Sequence, residues 1–199
     1  NIGVFSKVEE WFKTRGISQQ TLKDLHVSEG KEFMPQTGKK ENTIQFNYTM
    51  GDQLINIKYR DGRKNFKLYK GAEKVFYNIN SVVGYDWCVI VEGEMDVLAL
   101  HEAGIKNAIS VPNGATLNSN NLSYLDNCID YLDDKTKIVI AVDADDAGQA
   151  LKNEFVRRLG AEVCYLIDFN GNKDANEFLI EHGADKLKSA IHAAKQVPL

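Results

Sequence analysis

Two short stretches carry acidic residues at positions where acids are costly. In Val89-Ile-Val-Glu-Gly-Glu-Met-Asp96, three β-branched apolar residues run directly into Glu92, with Glu94 and Asp96 close behind. In Ile138-Val-Ile-Ala-Val-Asp-Ala-Asp-Asp-Ala-Gly148, a second apolar run ends on Asp143 and Asp145. Residues two apart on an extended chain project the same way, so Asp143 and Asp145 are expected to point together. Asp174, in Asn172-Lys-Asp-Ala-Asn-Glu177, follows a third apolar run. Converging carboxylates repel, so either some hold protons or a cation neutralises them. With oxygen donors and neither Cys nor His nearby, the cation expected is Mg²⁺ or Mn²⁺, and two such ions could serve phosphoryl transfer. The competing reading is local: an Asp after a strand often caps the next helix, a role open to Asp145 and Asp146. Glu94 is expected in solvent, favouring the dipole of the helix it begins.

Around these residues the pattern alternates. Strands are expected at Trp87–Val91, Ala108–Val111, Lys137–Val142 and Glu162–Ile167, with helices at Met95–Ala103, Leu122–Leu132, Ala147–Leu159, Ala175–Glu181 and Lys186–Ala194. Continuous apolar strands alternating with helices imply a parallel sheet covered by helices, with function at the strands' carboxyl edge. The turn Val111–Thr116 sits at that edge, and Asn113-Gly114 gives it a backbone free to approach a phosphate or simply to turn.

The first 84 residues read differently. Short helices are expected at Val8–Arg15 and Gln19–Leu25, then a loop over Lys31–Asn42. Antiparallel strands follow at Thr43–Thr49, Gln53–Arg60, Asn65–Lys70 and Lys74–Ile79. This part is basic, with 14 Lys and Arg against 9 Asp and Glu (net +5), whereas residues 85–199 hold 10 against 19 (net −9). A boundary near Gly84 separates a half suited to polyanions from one suited to cations. Within Ile55–Gly71, Lys58, Arg60, Arg63, Lys64, Lys67 and Lys70 are interleaved with Tyr59, Phe66 and Tyr69. That composition suits phosphates and stacked bases, though a solvated hairpin face has it too.

The combination Glu92-Gly-Glu-Met-Asp96, Asp143-Ala-Asp145 and Lys173-Asp-Ala-Asn-Glu177 resembles the TOPRIM domain of topoisomerases and primases. Lys58-x-Arg60-Asp61-x-x-Lys64-Asn-Phe-Lys67 and Arg15-Gly-Ile-Ser18 are similar to the subdomain preceding TOPRIM in phage-type primase-helicases. The resemblance implies an α/β TOPRIM fold, a Rossmann-like parallel sheet flanked by helices over residues 85–199. A smaller mixed α+β subdomain over residues 1–84 would precede it. It implies Glu92 as a metal-linked catalytic carboxylate, and Asp143 and Asp145 as catalytic metal ligands. Asp174 matches the family's later acidic position, Asp96 the motif. Lys58, Arg60, Lys64 and Lys67 are expected to hold nucleotide phosphates or template, with Asn113 and Gly114 as further candidates.

The activity implied is primer synthesis: short RNA made from ribonucleoside triphosphates on single-stranded DNA. A TOPRIM nuclease and a non-catalytic DNA-binding adaptor are the alternatives. Implied partners are a replicative helicase, fused in the parent protein, and a zinc-binding module that is not in this chain. The setting implied is bacterial or phage-infected cytoplasm.

Composition narrows the rest. The chain has 199 residues, begins at Asn1 and reads as an excised piece of a longer protein. At 43% hydrophobic it can build a core, and no apolar run approaches the roughly 20 residues that cross a bilayer. Cys88, Cys128 and Cys164 share no metal-binding spacing and read as core residues in a reducing compartment.

Overall fold

A computed structural model describes residues 6–114 and 122–199. Two sheets share one core. The first is antiparallel and four-stranded, in the order β1 (Val27–Met34), β2 (Lys39–Met50), β3 (Gln53–Asp61) and β4 (Phe66–Leu68). Two short helices, α1 (Ser6–Lys13) and α2 (Gln19–Asp24), precede it, the second capped by the Ser18 hydroxyl on the Thr21 amide.

The loop expected over Lys31–Asn42 is a hairpin instead. Residues 31–34 close β1, residues 39–42 open β2, and Val27 to Met34 pair in unbroken register with Phe46 to Lys39. β1 is half polar, with Glu29, Lys31 and Glu32, because only its ends are buried. No alternation marks it; its partner strand does.

The second sheet runs β6-β5-β7-β8-β9, from β5 (Trp87–Val91), β6 (Ala108–Ser110), β7 (Lys137–Ala141), β8 (Cys164–Leu166) and β9 (Lys195–Gln196). β5, β6, β7 and β8 are parallel; β9, unforeseen, adds antiparallel to β8. β5 and β7 lie side by side with their last four residues buried, as the continuous apolar runs require. The helices α3 (Glu94–Glu102), α6 (Asp146–Leu159), α7 (Ala175–His182) and α8 (Ala184–His192) flank this sheet. The helix expected over Leu122–Leu132 is broken into α4 (Ser123–Asn127) and α5 (Ile129–Leu132), with Cys128 between them outside helical geometry.

The expected strand Lys74–Ile79 is not one. Val75, Phe76 and Tyr77 are buried and, among the described residues, make a single bridge, Tyr77 to Ser110, at the open edge of β6. This segment fastens the two sheets together. The Tyr77 hydroxyl donates to the Leu25 carbonyl, and Glu102 at the end of α3 accepts from the Ser18 amide, the Ser18 hydroxyl and the Thr21 hydroxyl. The hydrophobic core is accordingly continuous, from Phe12 and Phe46 through Val89 and Ile140 to Ile191. All three cysteines are free and buried within it. Among the described residues no helix is long and apolar enough to cross a membrane.

Candidate active site

The carboxyl edge of the parallel sheet gathers the acids. Glu92 follows the last residue of β5, and its Oε2 accepts from the Asp143 amide at 2.5 Å, tying the ends of β5 and β7 together. Asp96 projects from the first turn of α3 and is buried, its Oδ1 accepting from the Asn176 amide at 3.1 Å. Asp174 is the N-cap of α7, accepting from the Glu177 amide at 2.9 Å. Asp96, Asp143 and Asp174 each offer an oxygen within 4.8 Å of the others.

Their charges are mutually destabilising. Burial, then the hydrogen bond and negative charge of Glu92, then Asp174, push the Asp143 carboxyl up to about 7. Burial, with the charge of Asp174, raises Asp96 well above the carboxylate range. A hard divalent cation would answer both shifts, and the all-oxygen donor set fits one.

Asp145 stands apart from the three. Its Oδ1 caps α6 through the Gly148 amide at 2.8 Å, and its side chain is exposed at the rim of the same cavity. The local reading therefore describes its geometry, with its carboxylate still facing the site. Gly148 has a demanding position: a methyl there would lie 2.0 Å from the Asp143 carbonyl oxygen. α6 can start this close to the strand end only because residue 148 has no side chain.

Glu94 is not in solvent. It is buried, its Oε1 accepting from the Lys58 ammonium at 2.6 Å and from the Tyr48 hydroxyl. The partners lie on the other sheet, so nothing near Glu94 in sequence announces them.

The acids line a cavity of about 450 Å³ whose opposite wall is basic. Arg15, Arg60 and Lys64 come from the first sheet and its helices. The Arg15 and Arg60 guanidiniums lie 4.2 and 4.8 Å from the Trp11 ring centre, and Arg60 also lies 5.5 Å from that of Phe66. Burial, and next the positive charge of Arg15, lower the pKa of Arg60, and Arg15 Nε is buried without a partner among the described residues. Two crowded guanidiniums with an unsatisfied donor form a place for an anion. Lys64 sits exposed in the β3–β4 turn at φ 63°, held by Asp61, which accepts from the Arg63 and Asn65 amides at 2.9 Å each.

An adjoining cavity of about 460 Å³ takes in Lys58, Lys67, Asn113 and Gly114, and shares Glu92 and Phe66 with the first. Lys67 is ion-paired to Glu32 at 2.9 Å, and Lys58 to Glu94. Asn113 and Gly114 are exposed at the end of their turn; Ala115 and Thr116 lie outside the described residues. Sequence reasoning passed over Arg15, Gly148 and Asn176. Asn176, inside Lys-Asp-Ala-Asn-Glu, also donates to the Arg15 carbonyl at 3.1 Å and so couples the acidic wall to the basic one.

A family model described as Toprim-like matches residues 89–179. A primase homolog protein of Arabidopsis thaliana is 37% identical over 210 residues, spanning 97% of this chain and 60% of the relative. The chain carries a Toprim-like segment and is similar to a primase homologue over nearly its whole length. The Twinkle homolog protein of the same plant, named as chloroplastic/mitochondrial, is 34% identical over 97% of this chain and 29% of its own length. The chain thus spans less than two thirds of either relative's length. The primase fragment of the Bacteriophage T7 primase-helicase superimposes with a TM-score of 0.74, covering 95% of this chain and 73% of that one. At 22% identity this likeness concerns the fold. In Toprim terms, Glu92 and Asp143 end the two central strands, and the basic wall lies outside the matched residues.

Proposed function

We propose that this chain is the RNA-polymerase portion of a DNA primase, joining ribonucleotides on a single-stranded DNA template. The observation that carries the reading is the facing of Asp96, Asp143 and Asp174, backed by Glu92, against Arg15, Arg60 and Lys64 across one cavity. Asp96, Asp143 and Asp174 would hold a divalent ion, with Glu92 and Asp145 at hand for a second. Mg²⁺ or Mn²⁺ bound there would neutralise phosphate charge and acidify a hydroxyl.

The remaining work falls to the chain itself. Glu92, with Asp143 beside it, takes the proton of the 3′-hydroxyl. That oxygen bonds to the α-phosphorus of the next nucleotide, the α–β bridging P–O bond breaks, and pyrophosphate leaves. Arg15, Arg60, Lys64 and Lys67 hold polyphosphate or template, and the walls fix the reactants in line. The first sheet supplies the nucleic-acid surface; a helicase and a zinc-binding module, fused in the parent protein, would supply template and start-site selection. The compartment would be a bacterial or phage-infected cytoplasm, or an organelle such as those in the Arabidopsis relative's name.

The test is incubation with ribonucleoside triphosphates, Mn²⁺ and random-sequence single-stranded DNA, the parent protein serving if the isolated chain is inactive. Short RNA products that Glu92→Gln abolishes are expected. DNA cleavage without RNA synthesis would replace this reading with a nuclease. DNA binding that ignores the metal, with neither product, would replace it with an adaptor.

A further inference from the structure

Glu94 is 4% exposed and stands outside the three-carboxylate cluster, so the scheme above gives it nothing to do. Its two donors both cross the seam between the sheets: Tyr48 from β2 and Lys58 from β3, meeting the first turn of α3. As a device for stability this is a poor choice. Two charges lose their water here, and a well-packed apolar pair serves as well or better. Lys58, though buried, also lines the cavity that holds Glu92, Asn113 and Gly114, with its ammonium 5.9 Å from the Phe66 ring centre. An ammonium has three N–H donors, and Glu94 Oε1 engages one.

We infer that Glu94 is a positioning residue that presents Lys58 to the cavity as a phosphate-binding cation. Resting on the primase reading, this assigns the triphosphate of the incoming nucleotide to the Asn113–Gly114 side of the site. Tyr48, donating to the same oxygen, fixes the carboxylate's orientation. Without Glu94, Lys58 loses its ion-pair partner in a place where its side chain is 10% exposed, and it must swing away towards water.

The first readout needs no catalysis: amine-reactive labelling of the intact chain, followed at Lys58 by mass spectrometry. Labelling is expected to be slow in the wild type and, on loss of a buried partner, faster by about tenfold in Glu94→Gln. The second is binding of a fluorescent ATP analogue with Mg²⁺, measured by anisotropy. Glu94→Gln and Lys58→Met should each weaken it by about tenfold, and the double variant no further, because the two act as one unit. Mn²⁺ affinity, followed by electron paramagnetic resonance, should stay within about twofold. If Glu94→Gln does not fold, Tyr48→Phe, losing one hydrogen bond, should give the same pattern at about threefold.

Unchanged Lys58 labelling overturns the inference, as do multiplying losses in the double variant, a tenfold fall in Mn²⁺ affinity, or no nucleotide binding by the wild type. Nucleotide binding that depends on Glu94 in a chain that makes no primer would sink the primase reading alone. Primer synthesis with an unchanged nucleotide KM in Glu94→Gln would sink the positioning role alone.

Discussion

The acids of the site hang from short side chains where a strand meets a helix: Glu92 after β5, Asp143 after β7, Asp174 at the cap of α7. The cations opposite hang from long side chains on β3, its turn and the end of α1, leaning on Trp11 and Phe66. One wall is fixed by backbone, the other by stacking. Short ligands on stiff supports suit a cation that demands fixed geometry; long, stacked cations suit a polymer that slides.

The contrast can be broken most sharply at Gly148. Gly148→Ala puts a methyl against the Asp143 carbonyl and should cost about 3 kcal/mol or more in urea unfolding. Near-wild-type stability would mean α6 slides freely and the acidic wall is not stiff. Next in size, Asp143→Asn should lower primer synthesis about 10²–10³-fold and abolish thermal stabilisation by Mg²⁺; retained stabilisation would move the ion elsewhere. The basic wall should respond more gently. Arg60→Ala and Lys64→Ala should each weaken single-stranded DNA binding and reduce its log–log salt slope by about 0.7, read by anisotropy across salt concentrations. A loss confined to one template sequence would instead mean base readout.

The smallest effect concerns protons. The Asp143 carboxyl is raised from 3.8 to about 7, so its contribution to stability is present below the usual carboxylate range and lost as pH rises through about 7. The metal-free chain should melt progressively lower across that window, and Mg²⁺ should remove the slope. A melting point that stays flat across the same window would show that Asp143 titrates normally.

Much of this was legible beforehand because burial on both faces leaves a plain mark. Cys-Val-Ile-Val and Ile-Val-Ile-Ala could only be central strands, and acids at their ends could only face a shared edge. What stayed hidden depends on partners distant in sequence. β1 reads as loop because its strand character comes from β2. Val75–Tyr77 reads as strand because an apolar run does not say whether it pairs or merely packs. Glu94 reads as a surface acid because Lys58 and Tyr48 lie on another sheet. Asp145 was open to both roles, and only the start of α6 showed which amide it caps.

The unbroken core beneath the seam has a consequence for dissection. Severed near Gly84, the polypeptide would not yield two soluble folding units. Each product would carry part of one continuous core, Phe46 and Tyr48 in one and Val97 and Leu100 in the other, with apolar surface laid bare at the cut. The groove is thus better pictured as a notch cut in one casting than as a jaw between two.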